Sequence, residues 1–290
     1  MSSSATDLEY RVFNARRASL SRDLPSGYES LAWVSNSVTL ISGKHDAVLV
    51  DTFLTIEHNL QLADAIAATG KNLKYIYITH GHGDHFFGIN ALKERFPDVH
   101  AVAAASVVER MRGQLAPDLM DGFWRRLFPG QIADDPGMAE RLEGSLDLEG
   151  HALVPIATGF TDTADSTSLH VPSLGLVVAG DVVYNGIHPY LGETDAHTRL
   201  EWVAALDTLE ALAPRDVVAG HKVPEHDDDP SNIAATRQYL RDFIRLNETT
   251  DSPQALFDAM IALYPARVNP GSLWTGANAA KREAAAGATA

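Results

Sequence analysis

Thr79-His80-Gly81-His82-Gly83-Asp84-His85 is the stretch from which the rest of the chain can be read. Four potential metal ligands fall within six residues, and the glycines between them let the backbone turn tightly enough to gather the side chains. Just before them, the run KYIYIT at 74–79 is apolar and β-prone and predicts a buried strand. A lone histidine after a strand is ordinarily structural. Three with an aspartate point to a metal. Imidazole and carboxylate together suit one or two Zn²⁺ ions, with Mn²⁺, Fe²⁺ or Co²⁺ as alternatives.

Upstream, β-type runs at 30–34, 37–41 and 47–51, with Gly43 and Lys44 before the third, predict a meander. Residues 56–69 predict a helix with Leu60, Leu62, Ala63, Ile66 and Ala67 roughly on one face and Gly70 as its stop. Downstream, a helix is expected over 86–96 and a strand over 100–103. The character changes at 105–148. Helical patterns broken by Pro and Gly carry Phe123, Trp124, Leu127 and Phe128 there, forming either an insert that covers a site or an ordinary packing face.

The second half predicts strands at 152–156, 168–171, 175–179 and 216–219, and helices at 198–212, 231–246 and 253–264. Two β-rich halves with helices outside imply one α/β domain over 1–290, a sandwich of two sheets flanked by helices. Residues 1–24 are expected to be a polar leader, and 281–290 an Ala/Gly-rich flexible tail.

Composition narrows the function. Of 290 residues, 45% are hydrophobic, enough for a large core. A net charge of -15 argues against a nucleic-acid binder or an anionic-membrane binder, which need a basic field. Without cysteine there is no disulfide, thiolate zinc site or Cys nucleophile. Residues 1–24 lack the apolar segment of a secretory signal, and no stretch could span a bilayer, so a cytoplasmic location is expected.

The run His80-x-His82-x-Asp84-His85 resembles the signature of the metallo-β-lactamase superfamily. The resemblance extends in order from Leu31 to His221: the strand ending at Asp51, the trailing Gly88, Ala179-Gly180-Asp181 and Ala219-Gly220-His221. It implies an αββα sandwich of two mixed sheets with a helical insert. It also implies that His80 and His82 hold a first metal, that Asp84, His85 and His221 hold a second, and that Asp181 lies between them. Asp51 would orient a ligand rather than bind metal.

One position departs from the pattern. Where the family places a further histidine for the first metal, in Gly-His-Thr, this chain reads Gly159-Phe160-Thr161. Three outcomes are open: a weakened or missing first metal, a substitute ligand from Asp162 or Asp165, or an inactivated member of the family. The first is the expectation, with Asp162 read as a turn residue.

The implied activity is hydrolysis by a metal-bound hydroxide, with Asp84, Tyr184 and His188 as candidates for proton transfer or substrate contact. The aromatic insert suggests a small apolar or aromatic substrate, and an ester or lactone is the leading choice. A non-catalytic metal- or ligand-binding protein is the main alternative, and a diiron oxidoreductase a weaker one.

Overall fold

A computed structural model describes residues 7–18, 25, 28 and 33–287. The first sheet contains six strands: β1 (Glu9–Ala18), β2 (Trp33–Ser42), β3 (Asp46–Val50), β4 (Asn72–Ile78), β5 (His100–Ala103) and β6 (Glu140–Arg141). They lie side by side in chain order, antiparallel from β1 to β3 and parallel from β3 to β6. The second sheet has the order β11-β10-β9-β8-β7, built from β7 (Leu146–Leu148), β8 (His151–Gly159), β9 (Ser166–Val171), β10 (Leu176–Asn185) and β11 (Asp216–Lys222). Only the β10–β11 pair there is parallel.

Strand alternation explains the layering. Val48, Val50 and Tyr77 point into a core shared with Leu169, Leu176 and Val178 of the other sheet. Their neighbours Leu49, Ile76 and Ile78 face outward, onto α1 (Ile56–Ala67), α2 (Gly83–Phe86), α3 (Ile89–Arg95) and α4 (Ala105–Gln114). Val177, Ala179 and Val217 face the opposite way, onto α7 (Ala196–Glu210), α8 (Ser231–Thr249), α9 (Pro253–Leu263) and α10 (Pro270–Gly287). The result is the expected αββα sandwich of two mixed sheets. Among the described residues, no helix is long and apolar enough to cross a membrane.

Several sequence expectations change. Residues 9–18, within the supposed leader, form β1, an edge strand paired along its whole length with β2. The runs at 30–34 and 37–41 are not two strands: residues 33–42 form one, and 29–32 lie outside the described residues. The helix expected over 86–96 breaks into α2 and α3, with Phe87 and Gly88 between. The supposed tail is helical to Gly287, as the end of α10. In the insert, Trp124, Leu127 and Phe128 are buried, so the segment packs into the core. Between α5 (Pro117–Leu119) and α6 (Arg125–Leu127), residues Met120–Trp124 form a π-helical turn.

Candidate metal centre

The ends of β4, β8, β10 and β11 meet at one edge of the sandwich. Thr167 on β9 joins the sheets there, its amide and hydroxyl both donating to Thr79 O, at 2.9 and 2.6 Å. Gly180 (φ +56°) has room only because it lacks a side chain: a Cβ there would come within 2.6 Å of Thr79 Oγ1. Beyond it the β10–β11 register slips, four residues along β10 spanning two along β11 between Gly180↔Ala219 and Tyr184↔His221. This bulge carries Asp181 and aims its carboxylate at the histidines.

Four histidines are built alike, each tied to an oxygen through one ring nitrogen. Thr79 donates its single hydroxyl proton to Asp51 Oδ2 (2.8 Å), so its oxygen accepts from His80 Nδ1 at 3.0 Å. His82 Nε2 meets Glu193 Oε1 at 2.9 Å, His85 Nδ1 meets Asp51 Oδ2 at 3.0 Å, and His221 Nδ1 meets Ser35 O at 2.7 Å. Asp51, at φ +62°, is further fixed by the Thr79 amide (2.8 Å). Its carboxylate thus contacts Thr79 and His85 together.

The other four nitrogens face carboxylates. His85 Nε2 lies 3.2 Å from Asp181 Oδ1, and His221 Nε2 lies 3.1 Å from Asp181 Oδ2 and 3.6 Å from Asp84 Oδ2. His82 Nδ1 is 2.8 Å and His80 Nε2 is 3.6 Å from Asp162 Oδ2. Among the described residues, three groups of donor atoms lie mutually within 4.8 Å: Asp51, His80 and His85, and the two that hold the expected ligands, His80, His82, Asp162 and Asp181, and Asp84, His85 and His221. His80 Nε2 is buried without a hydrogen-bond partner, and Asp162 Oδ2 and Asp181 Oδ1 are buried facing the ring nitrogens of the histidines. Buried polar atoms are rarely left unpaired, and these are the atoms a divalent ion would satisfy. The donor set fits the implied metal.

Charge follows the same layout. Burial, then His85, keeps the His80 pKa low, leaving Nε2 its lone pair. Burial opposes charge on His82 and His85, but Asp162 and Glu193 outweigh it at His82, and Asp181 and Asp84 at His85. Both pKa values are held well above 6.5. Burial likewise opposes the Asp181 charge, yet His221 and His85 keep its pKa well below 3.8. Protons on His82 and His85 balance the carboxylates, and a bound cation would displace them.

Asp162 sits where the sequence expectation did not put it. The turn residue is wholly buried beside His80 and His82. Asp165, the other candidate substitute, faces away and pairs with Arg110 at 2.7 Å. Tyr184 donates to Asp181 Oδ2 at 2.6 Å, its ring stacked on that of His221; burial, then Asp181, raises its pKa well above 10, so it stays protonated.

His188 is a correction. It is fully buried against Tyr239 OH (2.9 Å) and does not line the cavity, so it is no candidate for substrate contact. Burial, then Arg267, lowers its pKa to about 3. An unfolded chain protonates histidine near pH 6.5, so between 6.5 and about 3 the unfolded state binds the extra proton and each pH unit costs ~1.4 kcal/mol. Urea unfolding of the native protein and His188→Gln should therefore show native stability dropping relative to the variant by about 2 kcal/mol between pH 6.5 and 4.5. A constant difference would mean that the ring is not held neutral.

A cavity of about 160 Å³ opens beside the cluster. His82, Asp84, Asp181, His221, Tyr184 and Glu193 form its floor, while Leu119, Phe123, Trp124 and Phe128 form an apolar wall. Gln114, Tyr190, Asn269 and Ser272 complete it. Glu193 was not foreseen: it lies 111 residues from His82, in a loop with no motif.

The metallo-beta-lactamase superfamily profile matches residues 31–221. None of the curated proteins compared matches the chain. Among solved structures, a metallo-beta-lactamase from Pontibacter korlensis aligns at 18% identity and TM-score 0.58, covering 80% of this chain and 99% of its own. A metallo-beta-lactamase family protein from Thermus thermophilus aligns at 18% identity and TM-score 0.63, covering 92% and 90%. The mono-zinc form of the metallo-beta-lactamase FIM-1 from Pseudomonas aeruginosa aligns at 18% identity and TM-score 0.54, covering 84% and 99%. At these identities the structural likeness speaks for the fold alone.

Proposed function

The chain belongs to the metallo-beta-lactamase superfamily, a family mostly of metal-dependent hydrolases, and from that premise we propose that it hydrolyses small esters or lactones bearing an apolar or aromatic group. The observation that carries this reading is the shared construction of His80, His82, His85 and His221, each anchored by one nitrogen and aiming the other at Asp84, Asp162 or Asp181. When bound, divalent ions, with Zn²⁺ the first candidate, supply a Lewis acid and a water made nucleophilic near neutral pH.

The chain's own groups do the rest. Tyr184 holds Asp181 in place by donating its hydroxyl proton to Oδ2, and its side chain lines the cavity. Asp84, fixed by Asn36 Nδ2 at 3.2 Å, lies at the cavity floor within reach of a leaving group. The aromatic wall favours an apolar acyl or alcohol portion and excludes water from it. The case for a non-catalytic protein rested on the histidine missing at Phe160, and the Asp162 carboxylate beside His80 and His82 weakens it.

The test is a panel of aryl esters, alkyl esters and lactones, assayed with and without chelator. The expected outcome is hydrolysis that chelation abolishes and divalent metal restores, with aryl or extended acyl substrates preferred. A metal-loaded protein that cleaves none of them would sink the reading. Iron content with oxygen consumption would favour an oxidoreductase instead.

A further inference from the structure

The residue at 160 cannot bind a metal, yet the first group of ligands is not short of a donor. Gly159 (φ +73°) ends β8, and Gly159 pairs with Ser166 across the loop, so residues 160–165 form a closed turn with its direction set. Within it the Thr161 amide donates to Thr163 O (2.9 Å), and the Thr161 hydroxyl donates to Asp162 Oδ1 at 2.9 Å while lying 2.8 Å from Ser166 Oγ. One Asp162 oxygen is thereby occupied, and the other points at the histidines. That oxygen and Asp181 Oδ1 are buried facing histidine ring nitrogens, His82 Nδ1 at 2.8 Å and His85 Nε2 at 3.2 Å, and His80 Nε2, from a third segment, is buried with no hydrogen-bond partner.

We propose that Asp162 is a ligand of the first metal site, in the role the family pattern gives to a histidine, and that this makes the site a two-histidine, two-carboxylate centre suited to a harder divalent cation. The proposal rests on the metal-dependent reading above and deepens it. Neighbouring carboxylates do not compete for the role. Glu193 is engaged with the outer nitrogen of His82 and with Thr163 Oγ1 (2.7 Å), and Asp165 is paired with Arg110. Replacing an imidazole by a carboxylate adds an oxygen donor and a full negative charge. Both changes raise Mn²⁺ relative to Zn²⁺, compared with a set in which a third imidazole stands beside Asp181.

The experiment is metal titration of the stripped full-length protein with Mn²⁺ and, separately, Zn²⁺. Bound equivalents are read by elemental analysis after desalting, and Mn²⁺ also by its electron paramagnetic resonance signal. The native protein is expected to take two equivalents of either ion, and Asp162→Ala only one. Asp162→His should keep two equivalents of Zn²⁺ while its first-site affinity for Mn²⁺ falls by about tenfold or more. Two unchanged equivalents in Asp162→Ala, or a native protein that takes only one, would overturn the proposal. Should Asp162→Ala not fold, the Asp162→His selectivity decides, and an unchanged Mn²⁺-to-Zn²⁺ ratio also overturns it. A native protein that binds neither ion would instead bring down the metal-dependent reading itself.

Discussion

Asp181→Ala is expected to lower kcat/KM on the best ester or lactone substrate by about a thousandfold or more. A metal centre contributes several kcal/mol of transition-state stabilisation, and each 1.36 kcal/mol is a factor of ten. Asp181 is the residue that touches both ligand groups: Oδ1 faces His85, Oδ2 faces His221 and accepts from Tyr184, and the carboxylate also belongs to the His80, His82 and Asp162 set. The backbone fits closely around it, since a Cβ on Gly220 would collide with its carboxylate. Asp181→Asn keeps the volume and loses the charge, so it should fall nearly as far. Steady-state kinetics with metal content measured on the same samples is the check. If both variants stay within tenfold of native, the cluster is not the reaction centre.

Trp124→Ala should cost about 3–5 kcal/mol of stability and also raise KM. Trp124 is 7% exposed, stands edge-on to Phe87 and Phe123 at 5.4 and 5.0 Å between ring centres, and donates Nε1 to Gln114 Oε1 at 2.9 Å. It therefore belongs to the core and to the cavity wall at once. Phe123, only half-buried, separates the two roles. Phe123→Ala should leave stability nearly intact and raise KM for aryl esters while sparing small alkyl esters. Chemical denaturation and KM on paired aryl and alkyl substrates give both readings. A Trp124→Ala stability loss below ~1 kcal/mol, or aryl KM values unchanged in both variants, would remove the apolar wall from the argument.

The segments that carry the chemistry were legible because they are local. His80 to His85 lie within six consecutive residues after β4, and Gly180-Asp181 and Gly220-His221 follow directly on β-prone runs that announce them. Asp162 is present in the sequence but its reach is not, because that depends on the positive φ of Gly159 and on Thr161 fixing one carboxylate oxygen. Glu193 had no periodic or spacing signal; only the fold brings it to His82. His188 looked like a site residue because it follows the Asp181 strand closely, but the bridge between Ile187 and Val268 turns it toward Tyr239. Strand β1 was masked by its arginines and Asn14: an edge strand, half-exposed, does not alternate cleanly. Helix α10 was hidden by its Ala and Gly content, which reads as a tail until Glu283 is seen paired with buried Arg199 at 2.8 Å.

The two walls of the cavity have different origins along the chain. The floor is drawn from β10, β11, the segment after β4 and Glu193, whereas the facing surface comes from residues 114–128 and from Asn269 and Ser272 at the start of α10. None of those facing residues belongs to a ligand set. The second piece lies past His221, where the superfamily match ends, and is stitched on by His188 N to Val268 O and Val268 N to Gly186 O, both at 3.0 Å. The candidate ligands and the wall that faces them are therefore separately encoded along the chain. Substitutions in the facing wall would reshape the cavity while leaving every residue of the candidate ligand groups in place.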